Sequence, residues 1–398
     1  MATTSAMVLL VLDSTIVGVL LPSMRADIGL GPGGQAWVVG TYLATLTVLM
    51  PVGGRLCDAL GAARAFTVGM AGFSVASAGI GVSFSAGELI VWRGVAGVSA
   101  ALLVPAGIAV LAEVYPADER AGALAVYTGV GQGFATVGPL VGGLCAQYAG
   151  WRWGFLINVP VGIGGLVLMA GARPLTPRRR GRELLALGLF RERAFAGASV
   201  VLFGLGWGMT VATVYGAATL QETLHLPPAS AGAALLPLVI PLLVATRWAG
   251  RAAARVGARL LGMAGTLTLA AGLLGAAGGI LSHQVVAVCL ALVPTGVGIG
   301  LLMAPMTNAA FTAAPESSRG QASGLASTIR QLGGLAGVAG VGMLTSAMPH
   351  GPGDAAGARP VATGFVAACG LVAATAVIAA RTLPRPIAGD RPGEQGAA

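Results

Sequence analysis

Gly54-Arg55-Leu56-Cys57-Asp58-Ala59-Leu60-Gly61, followed by Arg64, returns later in the chain as Gly250-Arg251-Ala252-Ala253-Ala254-Arg255-Val256-Gly257, followed by Arg259. Both copies open on Gly-Arg and close on a glycine seven positions after the first. Each is a short polar gap between two long apolar runs, and each falls between the second and third runs of a set of six. A repeat in that place implies two equivalent halves. Two related helical bundles facing one another are a common way to build a central site that opens to alternate sides of a membrane.

The rest of the chain fits that reading. It has 398 residues, 56% of them hydrophobic and only 9% charged, with a mean hydropathy of +0.84. A soluble domain carries about 25% charged residues. So few charges cannot cover a water-facing surface, which excludes a soluble enzyme, a disordered chain and a secreted disulfide scaffold. A spanning helix needs about 20 mainly apolar residues. Twelve such runs are present, at 6–24, 36–54, 66–86, 90–112, 122–146, 153–172, 196–217, 229–248, 260–281, 285–306, 322–347 and 361–380. The first has no basic flank and reads as a helix, not a signal peptide.

All 23 basic residues are arginine, and the formal net charge is +9. The excess lies in the gaps between apolar runs, so it reads as topology and not as a nucleic-acid-binding face. With both termini cytoplasmic, 18 arginines fall on the inner side, Arg25, Arg152 and Arg359 fall outside, and Arg93 and Arg330 lie at membrane depth. Positive charge is retained on the cytoplasmic side of multi-pass proteins. The expected organisation is an all-α membrane protein. A six-helix half covers 1–173, an Arg-rich cytoplasmic linker 174–194, a second six-helix half 195–382, and a disordered tail 383–398. Four scattered cysteines and three scattered histidines show no metal-ligand or redox spacing, so neither a metal site nor a catalytic group is expected.

Asp13 sits near the middle of the first run. A charge near the bilayer centre costs on the order of 2.5–3.5 kcal/mol, so it needs a partner, a wet cavity or a task. It reads either as a proton-exchanging carboxyl or as an acid that hydrogen-bonds neighbouring helices. Arg93 lies a few residues into the fourth run and either snorkels to the interface or faces the cavity, where Asp13 is a candidate partner. Arg330, with Gln331 beside it, is the deepest basic residue, either a substrate contact or a packing group. Tyr42, Thr45, Gln132, Trp207, Thr210 and Asn308 complete the polar and aromatic side chains expected at membrane depth as substrate contacts. The glycines Gly138, Gly142 and Gly143, with Pro139, read either as static close packing or as a sliding surface with a bend.

These stretches resemble one family. Leu12-Asp13-Ser14-Thr15-Ile16-Val17 with Leu21-Pro22 is similar to the first-helix signature of the 14-helix drug:proton antiporter branch of the major facilitator superfamily. Gly54 to Gly61 resembles the superfamily's loop motif, Arg93-Gly94-Val95-Ala96-Gly97 its helix-4 motif, and Gly138-Pro139-Leu140-Val141-Gly142-Gly143 its antiporter motif. Trp151-Arg152-Trp153 with Phe155, Asn158 and Pro160 resembles a further mark of the branch. So does Gly320-Gln321-Ala322-Ser323-Gly324 with Arg330-Gln331-Leu332-Gly333-Gly334. Glu183-Leu184-Leu185 to Leu189-Phe190-Arg191 resembles the segment that follows two extra helices in the branch, so that pair is missing here and twelve helices remain.

The resemblance implies proton coupling through Asp13 and Arg93. It also implies a cytoplasmic gate at Asp58 with Arg55 and Arg64, and conformational roles for the helix-5 motif. The expected activity is proton-coupled export of small amphipathic molecules by alternating access, from a multi-pass position in the cell membrane. No cofactor is expected, since the proton gradient supplies the drive and no phosphate-binding GxxxxGK[ST] loop is present. The expected partners are a small-molecule substrate and the lipid bilayer, with no nucleic acid, and a monomer as the working unit. Import on the same fold and a transporter-derived sensor are the alternatives; a membrane enzyme lacks its catalytic cluster.

Overall fold

The computed structural model describes residues 1–31, 33–116, 119–171, 187–315, 319–348 and 358–383. These are almost wholly helical, as expected where no water is present to hydrogen-bond the backbone and each segment must satisfy its own N–H and C=O groups. The first six rods are α1 (Ala2–Ile28), α2 (Gly34–Leu60), α3 (Ala62–Gly81), α4 (Ala86–Val114), α5 (Arg120–Leu144, continued by a π-turn over Cys145–Ala149) and α6 (Trp151–Ala170). A 3-10 turn at Leu187–Arg191 leads into the second six. These are α7 (Arg193–Glu222, with a π-turn over Val211–Tyr215), α8 (Pro228–Ala234 and Leu236–Val256), α9 (Ala258–Leu281), α10 (Val285–Thr312), α11 (Arg319–Ala347) and α12 (Ala358–Thr382).

A helix thus stands on each of the twelve apolar runs. Among the described residues nine are long and apolar enough to cross a membrane; α3, α5 and α11 fall short of that measure. Their sequences explain it: glycine, serine and threonine dilute the apolar content of all three. Most of the expected linker and nearly all of the expected tail lie outside the described residues.

The repeat seen in the sequence has a backbone counterpart. Gly61 joins α2 to α3 at φ 83°, ψ 149°, and Gly257 joins α8 to α9 at φ 82°, ψ 152°. That combination is essentially closed to residues with a Cβ, so the closing glycine of each copy is required by the turn. The packing repeats as well. In the first six helices α2 and α3 lie along α4, and α1 along α5; in the second six α8 and α9 lie along α10, and α7 along α11. One helix start carries an explicit cap. Ser85 Oγ accepts from Glu88 N at 3.3 Å, and Glu88 Oε2 accepts from Phe84 N at 2.9 Å, which answers two orphan donors at the start of α4.

The two sets of six meet at the end carrying the α1–α2, α5–α6 and α7–α8 connections. Gln221 Nε2 donates to Val19 O at 2.8 Å, Gln35 Nε2 to Glu222 Oε1 at 2.8 Å, and Ala229 N to Gln147 Oε1 at 3.1 Å. Arg25 Nη1 lies 3.6 Å from Glu222 Oε1. Glycines bring the backbones together there. A Cβ on Gly18 would stand 2.9 Å from Thr213 O, and one on Gly143 or Gly232 would strike the backbone of Pro228 or Pro139. Towards the other end, Thr328 Oγ1 reaches Met50 Sδ at 3.4 Å.

Candidate functional site

Asp13 and Arg93 are both fully inside the protein, at 0% and 1% exposure. Arg93 Nη1 donates to both carboxylate oxygens of Asp13, at 3.0 Å to Oδ1 and 2.8 Å to Oδ2. Arg93 Nε donates to the backbone carbonyl of Val38 at 3.1 Å. The guanidinium lies over the Tyr42 ring, 4.4 Å from its centroid, with the Phe155 ring 5.9 Å away. Four helices therefore meet at one charge pair: α1 brings the acid, α4 the base, α2 a carbonyl and a ring, and α6 a second ring. Two rings and a carbonyl hold the cation whether or not the acid is charged, because cation–π attraction and a hydrogen bond from Nε do not involve Asp13.

The turn of α1 carrying Asp13 is clamped by α5. A Cβ on Gly138 would collide with Thr15 Oγ1, and one on Gly142 would stand 3.1 Å from Ile16 Cβ. Gly138, Pro139, Gly142 and Gly143 are all buried. The first three face α1 or the start of α8, and Gly143 faces Pro228, so the α5 motif touches both the acid's helix and the facing set of six. Five residues beyond Asp13, Gly18 meets Thr213 O across the same seam.

The remaining expected residues are spread more widely. Thr45 faces Gly97 of α4, and its hydroxyl donates within α2, to Thr41 O at 2.8 Å. Tyr42, expected as a substrate contact, has its ring under Arg93 and is 4% exposed. Trp207 lies over Gly337 and Gly340 of α11, and Thr210 faces Gly334. Arg330 and Gln331 are half-buried on α11, and Asn308 is exposed on α10. Gln132 is on α5, but its side chain lies outside the described residues. Arg55, Asp58 and Arg64 are all exposed around the Gly61 turn, and among the described residues no ion pair joins them.

Sequence reasoning did not reach Val38 and Phe155 as parts of the Arg93 cage. Val38 contributes only a backbone oxygen, which no side-chain pattern reports; Phe155 belongs to the Trp151–Pro160 motif, whose spacing alone gives its ring no role. Trp151 and Arg152 of that motif bind Asp27. Trp151 Nε1 donates to its Oδ2 at 3.0 Å, and Arg152 forms an ion pair with it while donating to Ser83 O at 3.0 Å. Together they tie the end of α1 to the α3–α4 connection. Among the described residues no cluster of His, Cys, Asp and Glu could hold a metal ion.

Comparison with known proteins gives a consistent picture. The family profile described as Major Facilitator Superfamily matches residues 3–338. The puromycin resistance protein of Streptomyces alboniger is 31% identical, across 84% of this chain and 79% of that protein. The tetracenomycin C resistance and export protein of Streptomyces glaucescens is 27% identical, across 86% and 75%. An uncharacterized MFS-type transporter of Mycobacterium tuberculosis is 37% identical, but the match spans 51% of this chain and only 34% of that relative's length. Among solved structures, a bacterial homolog of the human lysosomal transporter Spinster superposes with a TM-score of 0.79 at 17% identity over 96% of both chains. A D-xylose-proton symporter superposes with a TM-score of 0.77 at 16% identity over 97% of both.

Proposed function

Since the chain belongs to the major facilitator superfamily, and is thereby a multi-pass membrane transporter and not an enzyme, we propose that it exports small amphipathic molecules in exchange for protons. The observation that carries this is the charge pair of Asp13 and Arg93, held at 0% and 1% exposure. A buried ion pair is weak as a stabilising device, because desolvating both charges offsets most of their attraction. Its value lies in having two states. With Asp13 ionised, α1 and α4 are bound together; with Asp13 protonated, the carboxyl no longer needs the guanidinium. Arg93 stays in place on Val38 O and the Tyr42 ring. The change is therefore felt by α1, whose Gly18 sits in the seam against α7.

With both termini in the cytoplasm, the seam of Gln221, Glu222 and Gln147 closes the outer end, and substrate enters from inside. Asp58, Arg55 and Arg64 then stand exposed at the cytoplasmic end, where they would form the gate when that end closes. Proton binding from outside and substrate release to outside occur in the alternate state. Relatives named for resistance to or export of antibiotics support export of drug-like molecules.

The test is accumulation in everted bacterial membrane vesicles that contain the protein and are acidified inside. Within a panel of amphipathic dyes that spans anionic, neutral and cationic members, at least one class is expected to enter only while the gradient stands, and to leak back when a protonophore is added. Accumulation that survives the protonophore, or movement only in the opposite direction, overturns the reading.

A further inference from the structure

Arg330 has a position that its packing does not explain. It is half-buried on α11 and, among the described residues, makes no hydrogen bond or ion pair. Its own helix shows which way it points. The outward face of α11 carries exposed Leu332, Ala339 and Met343. At 100° per residue Arg330 lies about 160° around the helix from the mean of those three. On its own side α11 meets α7. The Arg330 carbonyl abuts Gly206, Gly333 abuts Phe203, and Gly337 abuts Trp207, while Gly334 lies between Thr210 of α7 and Leu43 of α2. The guanidinium thus belongs to the side of α11 that faces α7 and α2.

Among the described residues no ion pair joins Arg330 to an acid. Among the described residues the only Asp or Glu within α7 to α12 is Glu222. That residue is 16 positions along α7 from Gly206, about 24 Å at 1.5 Å per residue. Asp13 is occupied by Arg93. Asp58 and Glu113 border the niche at the Gly61 turn, and Asp58 is eight residues along α2 beyond Met50, the partner of Thr328, about 12 Å away. The same α7–α11 interface holds a second donor without an acceptor. Trp207 Nε1 is buried and unpartnered, and its ring pairs with Phe203 at 6.3 Å between centroids. A cation and an indole N–H left unanswered at membrane depth are costly and amount to half of a recognition site whose missing half is an acceptor with negative charge.

We infer that the exported substrate carries an anionic group, such as a carboxylate, sulfonate or ionised phenol, which docks on Arg330 while its aromatic or aliphatic body lies against Trp207 and Phe203. This rests on the export reading and narrows it to amphipathic acids over lipophilic cations, which the same arginine would repel.

The experiment uses a matched pair of probes, anilinonaphthalene sulfonate and uncharged anilinonaphthalene, which share the ring system and differ by the anion. Binding is followed by probe fluorescence on the purified full chain in lipid nanodiscs, for the wild type, Arg330→Gln and Arg330→Lys. A charge-assisted hydrogen bond predicts about ten-fold tighter binding of the sulfonate by the wild type. Arg330→Gln is expected to erase that preference and leave the neutral probe unchanged, with Arg330→Lys retaining most of it. Equal wild-type affinities, or a loss in Arg330→Gln that falls equally on both probes, overturns the inference. The wild-type comparison decides the matter even where a variant folds poorly. Everted vesicles separate the two readings. Gradient-driven uptake of both probes alike leaves export standing and rejects the anion site. Selective binding of the sulfonate without gradient-driven uptake keeps the site and rejects the export reading.

Discussion

Replacing Asp13 by Asn removes one charge from a site closed to solvent, with Asp13 at 0% exposure. Arg93 loses two hydrogen bonds to carboxylate oxygens, at 3.0 and 2.8 Å, and becomes a lone cation at 1% exposure. Breaking a buried pair in this way costs about 3–5 kcal/mol. The amide oxygen of Asn recovers one neutral acceptor, about 1 kcal/mol, and the expected net loss is about 2–4 kcal/mol. Arg93→Gln on its own leaves a lone carboxylate and is expected to cost as much. The double variant Asp13→Asn with Arg93→Gln buries no charge at all, so it is expected to be more stable than either single variant, with a coupling of at least about 2 kcal/mol. Melting of the purified protein, read as loss of monodisperse elution on heating, measures all four chains. Transport is measured in parallel in everted vesicles. The double variant is expected to regain stability without regaining gradient-driven accumulation, because its amides cannot alternate between two charge states. Gradient-driven transport by Asp13→Asn at the wild-type rate would refute the coupling role. Recovery of transport along with stability in the double variant would make the pair purely structural.

Two further outcomes follow from the frame. Gly61→Ala and Gly257→Ala are expected to lower stability by similar amounts, about 1–3 kcal/mol each, because both occupy the same glycine-only backbone region; Gly54→Ala, which meets nothing within 4 Å, is the control, and the readout is the melting temperature. Glu222→Ala removes the acceptor of Gln35 and the partner of Arg25, both at a half-exposed seam where such contacts are worth up to about 1 kcal/mol. It is expected to raise labelling of a Thr213→Cys reporter by a water-soluble maleimide by roughly five-fold or less, and no change in labelling would show that this contact does not hold the end closed.

The twelve helices were legible because lipid permits so little else: an apolar run of that length has one way to satisfy its backbone. Asp13 and Arg93 stood out for the same reason, as charges where charge is expensive. What remained hidden depends on tertiary placement. Val38 acts through a carbonyl, and Tyr42 looked like any polar aromatic until the structure put its ring 4.4 Å from the Arg93 carbon. Gln35 and Glu222 are ordinary residues at helix ends, and only the approach of α2 to α7 makes them a clasp. The π-turn at Val211–Tyr215 breaks no hydropathy pattern, so the run through it reads as uninterrupted helix. Asp58, Arg55 and Arg64 are close in sequence, yet all three are exposed without an ion pair joining them; three neighbours on one turn indicate a charge cluster but not which conformation engages it.

The seam between the two sets of six helices has a composition suited to being opened. At Gly18 against Thr213, Gly143 against Pro228 and Gly232 against Pro139, one backbone rests on another. At these three contacts backbone meets backbone, so separating them drags no knob out of a hole; Leu43 on Gly334 and Leu335 on Gly40 are the larger side chains that pack across between α2 and α11. The polar contacts added at the rim are few and partly exposed, which makes each of them weak. An equilibrium held this loosely is within reach of small inputs: each pH unit across the membrane supplies about 1.4 kcal/mol per proton. The carboxyl proposed to receive the proton, Asp13, lies on α1, five residues from Gly18 at the seam, in the first six helices. Among the described residues the last six have no buried acid at all, and their one cation at membrane depth, Arg330, is left without a partner. The proposed proton and substrate sites thus fall on opposite sides of that seam, the arrangement an exchanger requires if one ligand is to drive the other without both competing for the same charge.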